Sequence, residues 1–480
     1  MKSIKTEIVV VGSGPGGYAA AFYAADRGKK VIMVEKDDRL GGVCLNVGCI
    51  PSKAYLHAAK LIEEAKDSEH RGISFGVPSL DLDRMRAWKN GIVGKLAGGV
   101  ASLARNRGVD VMYGRGYFED STTLRVETKQ GQRFVTYDHA IIATGSRAAM
   151  PPAFDLGNKR IMTSTEALEL EEIPRNLLVV GGGYIGMELG TVYATLGSSI
   201  VLVEALDTIL TGSDPDLIRP VVKRAEQAFK EIRLKAKVLK MATHKQQIKV
   251  TMEHDGKEVE ELYDRVLVAV GRTPNSAELG LENTRVQTDE RGFVKVNDQL
   301  QTDDPYIFAI GDVAGGVLLA HKASKEARIA VDAIFGEHSS AEDIIIPAVV
   351  FTDPEVAWAG LTEAEAKQRN LAVEVAKFPW SASGRALTFD RPDGMTKLVI
   401  DPATERILGV GMVGAHAGEL IAEGVLAIEM SATVRDLAET IHAHPTLSET
   451  LMEAAHAYYG DATHIYSPKK RHAGNGGTET

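Results

Sequence analysis

Two stretches decide how this chain folds: Glu7-Ile8-Val9-Val10-Val11-Gly12-Ser13-Gly14-Pro15-Gly16-Gly17 and Leu177-Leu178-Val179-Val180-Gly181-Gly182-Gly183-Tyr184-Ile185-Gly186. Each begins with a short apolar run, the pattern of a parallel strand covered on both faces. Glycines follow at the first, third and sixth places, and then a stretch of helical pattern. A second apolar strand comes next in both copies, residues 31–34 before Glu35 and residues 199–203 before Glu204. The offset from first glycine to acid is the same, 35 − 12 = 23 and 204 − 181 = 23. A lone G-x-G-x-x-G is weak evidence. A strand before it, a helix after it and an acid closing the second strand form the context that marks a dinucleotide site.

Each residue type has its reason. Gly12 and Gly181 allow the tight turn, Gly14 and Gly183 let backbone approach a pyrophosphate, and Gly17 and Gly186 permit close helix–strand packing. The helix N-terminus offers amide donors and the positive end of its dipole to phosphate. Glu35 and Glu204 are placed to accept hydrogen bonds from ribose hydroxyls. A carboxylate at 204 also repels a 2′-phosphate, which favours NAD over NADP. Two copies so far apart imply two domains rather than a short repeat. A later apolar strand, residues 306–310, leads into Gly311-Asp312 and reads as the chain's return to the first domain. The expected class is α/β: two Rossmann-like domains, the second inserted in the first, with an α+β domain from Pro347 onward. The boundaries expected are 1–147, 148–275, 276–346 and 347–462, followed by a flexible tail at 463–480.

Composition narrows the function. The chain has 480 residues, 44% hydrophobic and 25% charged, with 47 glycines and a net charge of −10. A mildly acidic chain has no overall attraction for nucleic acid or anionic membrane. Its apolar runs are far shorter than the ~20 residues that span a bilayer, and no leader pattern is present at the N-terminus. The expectation is a cytoplasmic protein without a membrane span. The only cysteines are Cys44 and Cys49. Two thiols cannot build a four-thiolate zinc or iron–sulfur site, and so few indicate a reducing compartment. Their closeness, just after the first ribose-binding strand, leaves three readings open: a redox-active pair, two unrelated buried thiols, or a metal pair completed by His442 and His444. No resident metal is expected.

The motifs GSGPGG, GGVCLNVGCIPSK (residues 41–53), GGGYIG and HAHPTLSE (residues 442–449), in this order, resemble class I of the flavin-dependent pyridine nucleotide–disulfide oxidoreductases. Within that family the pattern is most similar to the branch that acts on dihydrolipoyl groups. The resemblance runs from about residue 5 to 460. It implies FAD in the first domain, NAD in the inserted domain and a C-terminal dimerisation domain. Cys44 would be the interchange thiol and Cys49 the thiol facing the flavin. His444 would be the base, oriented by Glu449 and supplied by the partner subunit of a homodimer, with Pro445 in a cis peptide and His442 structural. The resemblance further assigns Gly12, Gly14, Gly17, Glu35, Lys36, Gly42, Val43, Lys53, Gly116, Thr144, Gly145, Asp312 and Ala320 to FAD. It assigns Gly181, Gly183, Tyr184, Ile185, Gly186, Glu188, Glu204, Val238 and Gly271 to NAD, with Glu188 also pairing Lys53. The implied activity is oxidation of dihydrolipoyl groups with reduction of NAD. The implied partners are the lipoyl domain and core acyltransferase of 2-oxo acid dehydrogenase complexes, or the lipoyl carrier of glycine cleavage. An NADH-dependent reductase of another disulfide, or a non-catalytic flavin-bound subunit, are the rival expectations. After Gly145-Ser146 the chain lacks the proline many relatives carry two residues beyond the serine.

Overall fold

In the computed structural model the described residues are 3–466, and most of the expected tail lies outside them. The described residues divide into two compact units, residues 3–205 with 233–344 and residues 206–232 with 345–466.

The first unit is built on the two repeats. Five parallel strands form one sheet in the order Ile307–Ala309, His139–Ile142, Ile8–Val11, Val31–Glu35 and Asp110–Tyr113. Ile8, Val9 and Val10 are fully buried, as a strand covered on both faces requires. The edge strand Ile307–Ala309 comes from after the second repeat and pairs with His139–Ile142. That pairing makes the second repeat an insertion in the first, as the strand at 306–310 suggested. In a second sheet, Ile161–Met162, Arg265–Val268, Asn176–Val180 and Ser199–Val203 lie side by side in parallel. The two fingerprints share one register. Ile8 faces Val31, an offset of 31 − 8 = 23, and Leu177 faces Ile200, an offset of 200 − 177 = 23. Two antiparallel additions carry no fingerprint: a sheet containing Arg115–Asp120, Thr123–Thr128 and Gly131–Thr136, and the meander Lys237–His244, Gln247–His254 and Lys257–Tyr263.

The second unit is an antiparallel five-stranded sheet in the order Ala348–Val350, Glu355–Gly360, Ile407–Gly414, Met395–Ile400 and Glu374–Pro379. Val410 and Met412 point into a core shared with the helices Ala417–Glu429 and Glu449–Tyr459. By strand alternation Gly411 faces the opposite side. There a Cβ would come within 2.4 Å of Leu217 on the helix Pro215–Ala228.

A buried ion network holds that helix in place. Lys397, 1% exposed, donates to Asp214 at 2.7 Å and Asp216 at 3.1 Å and also pairs with Glu363. Asp214 in turn accepts from the amides of Glu363 and Ala364, both at 3.1 Å. The three carboxylates lie close enough to hold a metal ion, but the Lys397 ammonium already sits among them. Lys377 also pairs with Asp216 at 2.7 Å and Glu363 at 3.5 Å, so removing Lys397 leaves the buried Asp214 without its cation, and breaking such a buried pair costs about 3–5 kcal/mol. Lys397→Met is therefore expected to strip hydrogen-exchange protection from Met395–Ile400 and Ile407–Gly414. Wild-type protection in the variant would show that the network is dispensable. Among the described residues no helix is long and apolar enough to cross a membrane.

Candidate active site

The glycines divide by what surrounds them. Gly12 and Gly181 have φ of +106° and +108°. A Cβ on them would lie 2.3 Å from the Ala143 carbonyl oxygen and 2.4 Å from that of Ala269. On Gly17 or Gly186 it would lie 2.0 Å from the carbonyl oxygen of Gly12 or Gly181. The chain itself requires these four glycines. The middle glycines differ. A Cβ on Gly14 meets only the Gly42 Cα at 3.9 Å, and on Gly183 nothing within 4 Å. Both precede helix N-termini, Pro15–Asp26 and Tyr184–Leu196. The backbone there is open to an approaching anion, as a pyrophosphate site demands. The acids match as well. Glu35 Oε2 accepts from the Ser13 amide at 3.0 Å, and Glu204 Oε2 from the equivalent Gly182 amide at 2.7 Å. Glu35 also accepts from Ser13 Oγ at 2.5 Å and from the Asp37 amide at 2.9 Å. A carboxylate has about four lone-pair sites, so one is left for a hydroxyl.

A cavity of about 510 Å³ opens beside the first fingerprint, within the range of cofactor sites. Every residue assigned to FAD by resemblance lines it except Gly17, which is spent on packing. Of the residues assigned to NAD, Tyr184, Ile185 and Glu188 also line this first cavity. Val238 has its side chain in the core of the second repeat, leaving only backbone to offer a ligand. Gly181, Gly183, Gly186, Glu204 and Gly271 lie outside the cavity lining.

Both thiols face this cavity. They are free and in hydrogen-bond contact with each other. The helices Gly42–Val47 and Cys49–Asp67, broken at Gly48, bring them together. A Cβ at Gly48 would lie 2.8 Å from the Val43 carbonyl oxygen, so the break needs glycine. The two sulfurs are not equivalent. The hydrogen bond to Cys44 and then the nearby Lys53 ammonium lower the Cys49 thiol to about 7, against burial and Glu188. Cys49 also opens a 19-residue helix, whose dipole favours a thiolate. The same hydrogen bond, with burial, raises the Cys44 thiol. Lys53 Nζ donates to Glu188 Oε2 at 2.8 Å, and Ser52 Oγ donates to the same oxygen at 3.1 Å.

In the second unit, the loop before the helix Glu449–Tyr459 holds two histidines with opposite surroundings. The ring of His442 is 5% exposed. Its Nδ1 lies 2.9 Å from the Thr440 carbonyl oxygen and its Nε2 2.6 Å from Glu423 Oε1. Both ring nitrogens are thus engaged by the protein, and neither faces open space for a substrate or a metal. His444 is 73% exposed, and among the described residues only its Nδ1 is engaged, 2.9 Å from Glu449 Oε1. Burial works to raise the Glu449 carboxyl, but the Thr446 amide and the His444 ring outweigh it and hold it low. An ionised Glu449 fixes Nδ1 as the protonated nitrogen and leaves Nε2 as a base. The His444–Pro445 peptide is cis.

Three cavity residues carry roles that the sequence does not announce, Ser13, Ser52 and Ser146, and Arg272, which the resemblance sets with Gly271 in the loop over NAD, lines this first cavity as well. Ser13 sits inside the G-x-G signature and was open to a local reading. Ser146 and Arg272 were not, because their contact joins residues 126 apart.

The sequence profile of the pyridine nucleotide-disulphide oxidoreductases matches residues 6–327, and that of their dimerisation domain residues 346–455. The dihydrolipoyl dehydrogenase of Vibrio cholerae is 46% identical over 98% of this chain and 99% of its own. That of Bacillus subtilis is 45% identical over 96% and 98%. Among solved structures, LpdA of Mycobacterium tuberculosis superposes with a TM-score of 0.87 at 28% identity, covering 94% of this chain and 99% of that one. The HOCl-induced flavoprotein disulfide reductase RclA of Escherichia coli, as its Cu(II) complex, gives 0.84 at 28%, covering 95% and 99%. With doubled fingerprints, a facing thiol pair and matches across nearly its whole length, the chain belongs to the pyridine nucleotide-disulphide oxidoreductases and carries that family's dimerisation domain.

Proposed function

We propose that the chain oxidises protein-bound dihydrolipoyl groups to lipoyl and reduces NAD, using FAD held beside Gly12–Gly17. It works as a cytoplasmic homodimer serving 2-oxo acid dehydrogenase complexes or glycine cleavage. One observation carries the reading: two unequal thiols in contact inside the cavity formed by the first fingerprint. The identity to dihydrolipoyl dehydrogenases supports the substrate.

FAD in that cavity supplies the two-electron chemistry that links thiols to hydride transfer. The chain's residues do the rest. In the oxidised enzyme Cys44 and Cys49 share a disulfide. A dihydrolipoyl thiol gives its proton to His444 Nε2, and its thiolate attacks the sulfur of Cys44. The disulfide breaks with Cys49 as the leaving group. Low-pKa thiols leave faster, and Cys49 is the thiol whose pKa is lowered. The second lipoyl sulfur then displaces Cys44 and closes the lipoyl ring. Two electrons now rest on the Cys44–Cys49 dithiol and pass on to NAD, so one dihydrolipoyl group and one NAD yield lipoyl, NADH and a proton. Lys53 and Glu188 hold the charge beside Cys49 throughout.

The test is turnover of the flavin-loaded protein with dihydrolipoamide and NAD beside turnover with NADH and glutathione disulfide. Faster reduction of glutathione disulfide would overturn the substrate in favour of a small-disulfide reductase. The second nucleotide site has its own check. Gly183 has φ of −71° and nothing within 4 Å of a Cβ. Gly183→Ala should therefore leave the melting temperature unchanged and raise KM for NADH by on the order of tenfold or more, since backbone approach to the pyrophosphate is lost. An unchanged KM would remove Gly183 from the site.

A further inference from the structure

We infer that Arg272 and Ser146 couple flavin occupancy at Asp312 to the paired strands that carry the chain into and out of the nicotinamide-binding insertion. Arg272 is thus a positioning residue for the second cofactor as well as a neighbour of the first. The inference rests on reading Asp312 as the residue that meets the flavin's sugar chain.

Ser146–Ala148 leads into the insertion and Arg272–Pro274 leads out of it. They pair with each other, antiparallel, with Pro274 opposite Ser146 and Arg272 opposite Ala148. Thr144 Oγ1 donates to the Asn275 carbonyl at 2.8 Å, and Asn275 Nδ2 donates to the Thr144 carbonyl at 2.9 Å, which ties the same ends together. The pair is therefore the hinge of the insertion. From it, Arg272 donates through Nε to Ser146 Oγ at 2.6 Å and through Nη2 to the Ser146 carbonyl at 2.8 Å. Ser146 Oγ donates to Asp312 Oδ2, and the Arg272 guanidinium lies 3.6 Å from that oxygen. Both strands thus converge on one carboxylate that lines the cavity.

Asp312 is fixed from its other side. Glu326 accepts from the Gly311 amide at 2.7 Å, and Lys322 donates to the Gly315 carbonyl at 2.9 Å. Lys322 and Glu326 pair with each other at 2.7 Å and are both buried. They bracket the turn Gly311–Ala314 at both ends. A load on Asp312 therefore passes to Ser146 and Arg272 rather than into the turn. Arg272 is 12% exposed and Asp312 21%, so solvent screens the contact only in part. Oδ1 of Asp312 makes no hydrogen bond among the described residues, leaving lone pairs for a polyol hydroxyl without breaking the hinge contact.

The test uses the full-length protein, flavin-loaded and flavin-stripped. Hydrogen exchange should slow at the amides of 146–148 and 272–273 on FAD loading in the wild type. In Arg272→Met that slowing should vanish even though FAD still binds. Loss of a charge-assisted contact should speed flavin release, read as fluorescence gain on dilution, by on the order of tenfold. KM for NADH should rise with kcat little changed. Arg272→Lys keeps the charge but not the fork that grips both Ser146 oxygens, so it should restore flavin retention but not the strand protection. FAD-induced protection that is equal in Arg272→Met and wild type, or absent in wild type, overturns the coupling. Asp312→Asn separates the premise: flavin release as slow as wild type would show that Asp312 does not meet the flavin.

Discussion

Cys49→Ser is expected to abolish dihydrolipoamide oxidation, to below about a thousandth of wild type, while the protein remains yellow. The cause is chemical, since serine cannot form the disulfide that accepts the two electrons. Cys44→Ser should be equally inactive, and a spectroscopic difference separates the two. When the wild type takes up two electrons, a thiolate beside an oxidised flavin should give a long-wavelength absorption band. The band should persist in Cys44→Ser and disappear in Cys49→Ser, because the lowered thiol is Cys49. Its pH dependence carries the same assignment. A thiolate exists above its pKa, so the band should be full at alkaline pH and fade as pH falls through about 7. The hydrogen bond to Cys44 is the largest cause of that lowering. Cys44→Ala should therefore move the midpoint upward. A band that survives in Cys49→Ser would reverse the roles of the two sulfurs.

Replacement of His444 is the second large effect. His444→Ala should lower kcat by on the order of 10²–10⁴, the range of general-base catalysis, with the thiol pair and flavin spectrum intact. Glu449→Gln should give a smaller loss, since it leaves the ring but weakens control of its tautomer. His444 and Cys44 lie in different compact units of the chain, and the chain carries a dimerisation domain. If each site takes Cys44 from one subunit and His444 from the other, inactive Cys44→Ser and His444→Ala dimers should complement on subunit exchange. A mixed dimer has one intact site and one doubly impaired site. Random exchange makes half of the dimers mixed, so recovery should approach about a quarter of wild-type activity. No recovery despite demonstrated exchange would mean that both groups come from one subunit.

Much of this was legible in the residues alone. The paired fingerprints are local signals, since a glycine that must adopt positive φ or admit a helix announces itself by type and spacing. The equal 23-residue offsets reappear as equal strand registers. The thiol pair and the H-x-H-P segment were legible for the same reason: each is a short run whose chemistry lies within a few residues. The antiparallel additions at 115–136 and 237–263 carried no comparable mark. Their strands alternate ordinary residues, and their pairing depends on what they lie against.

What the chain determined by itself was the type of chemistry: two dinucleotide cradles, a dithiol and a base held by a carboxylate. Only the tertiary structure decided which partner each charged group has. Glu188 pairs with Lys53 as the resemblance implies, but only the structure adds Ser52 as its second donor and sets all three in the first cavity. His442 is consumed by two acceptors while His444 is left open. Ser146 and Arg272 meet at one carboxylate across 126 residues of chain. Spacing in sequence encodes contacts made within a turn or a strand pair. Contacts between distant segments are set by how the sheets close, and no local pattern records that.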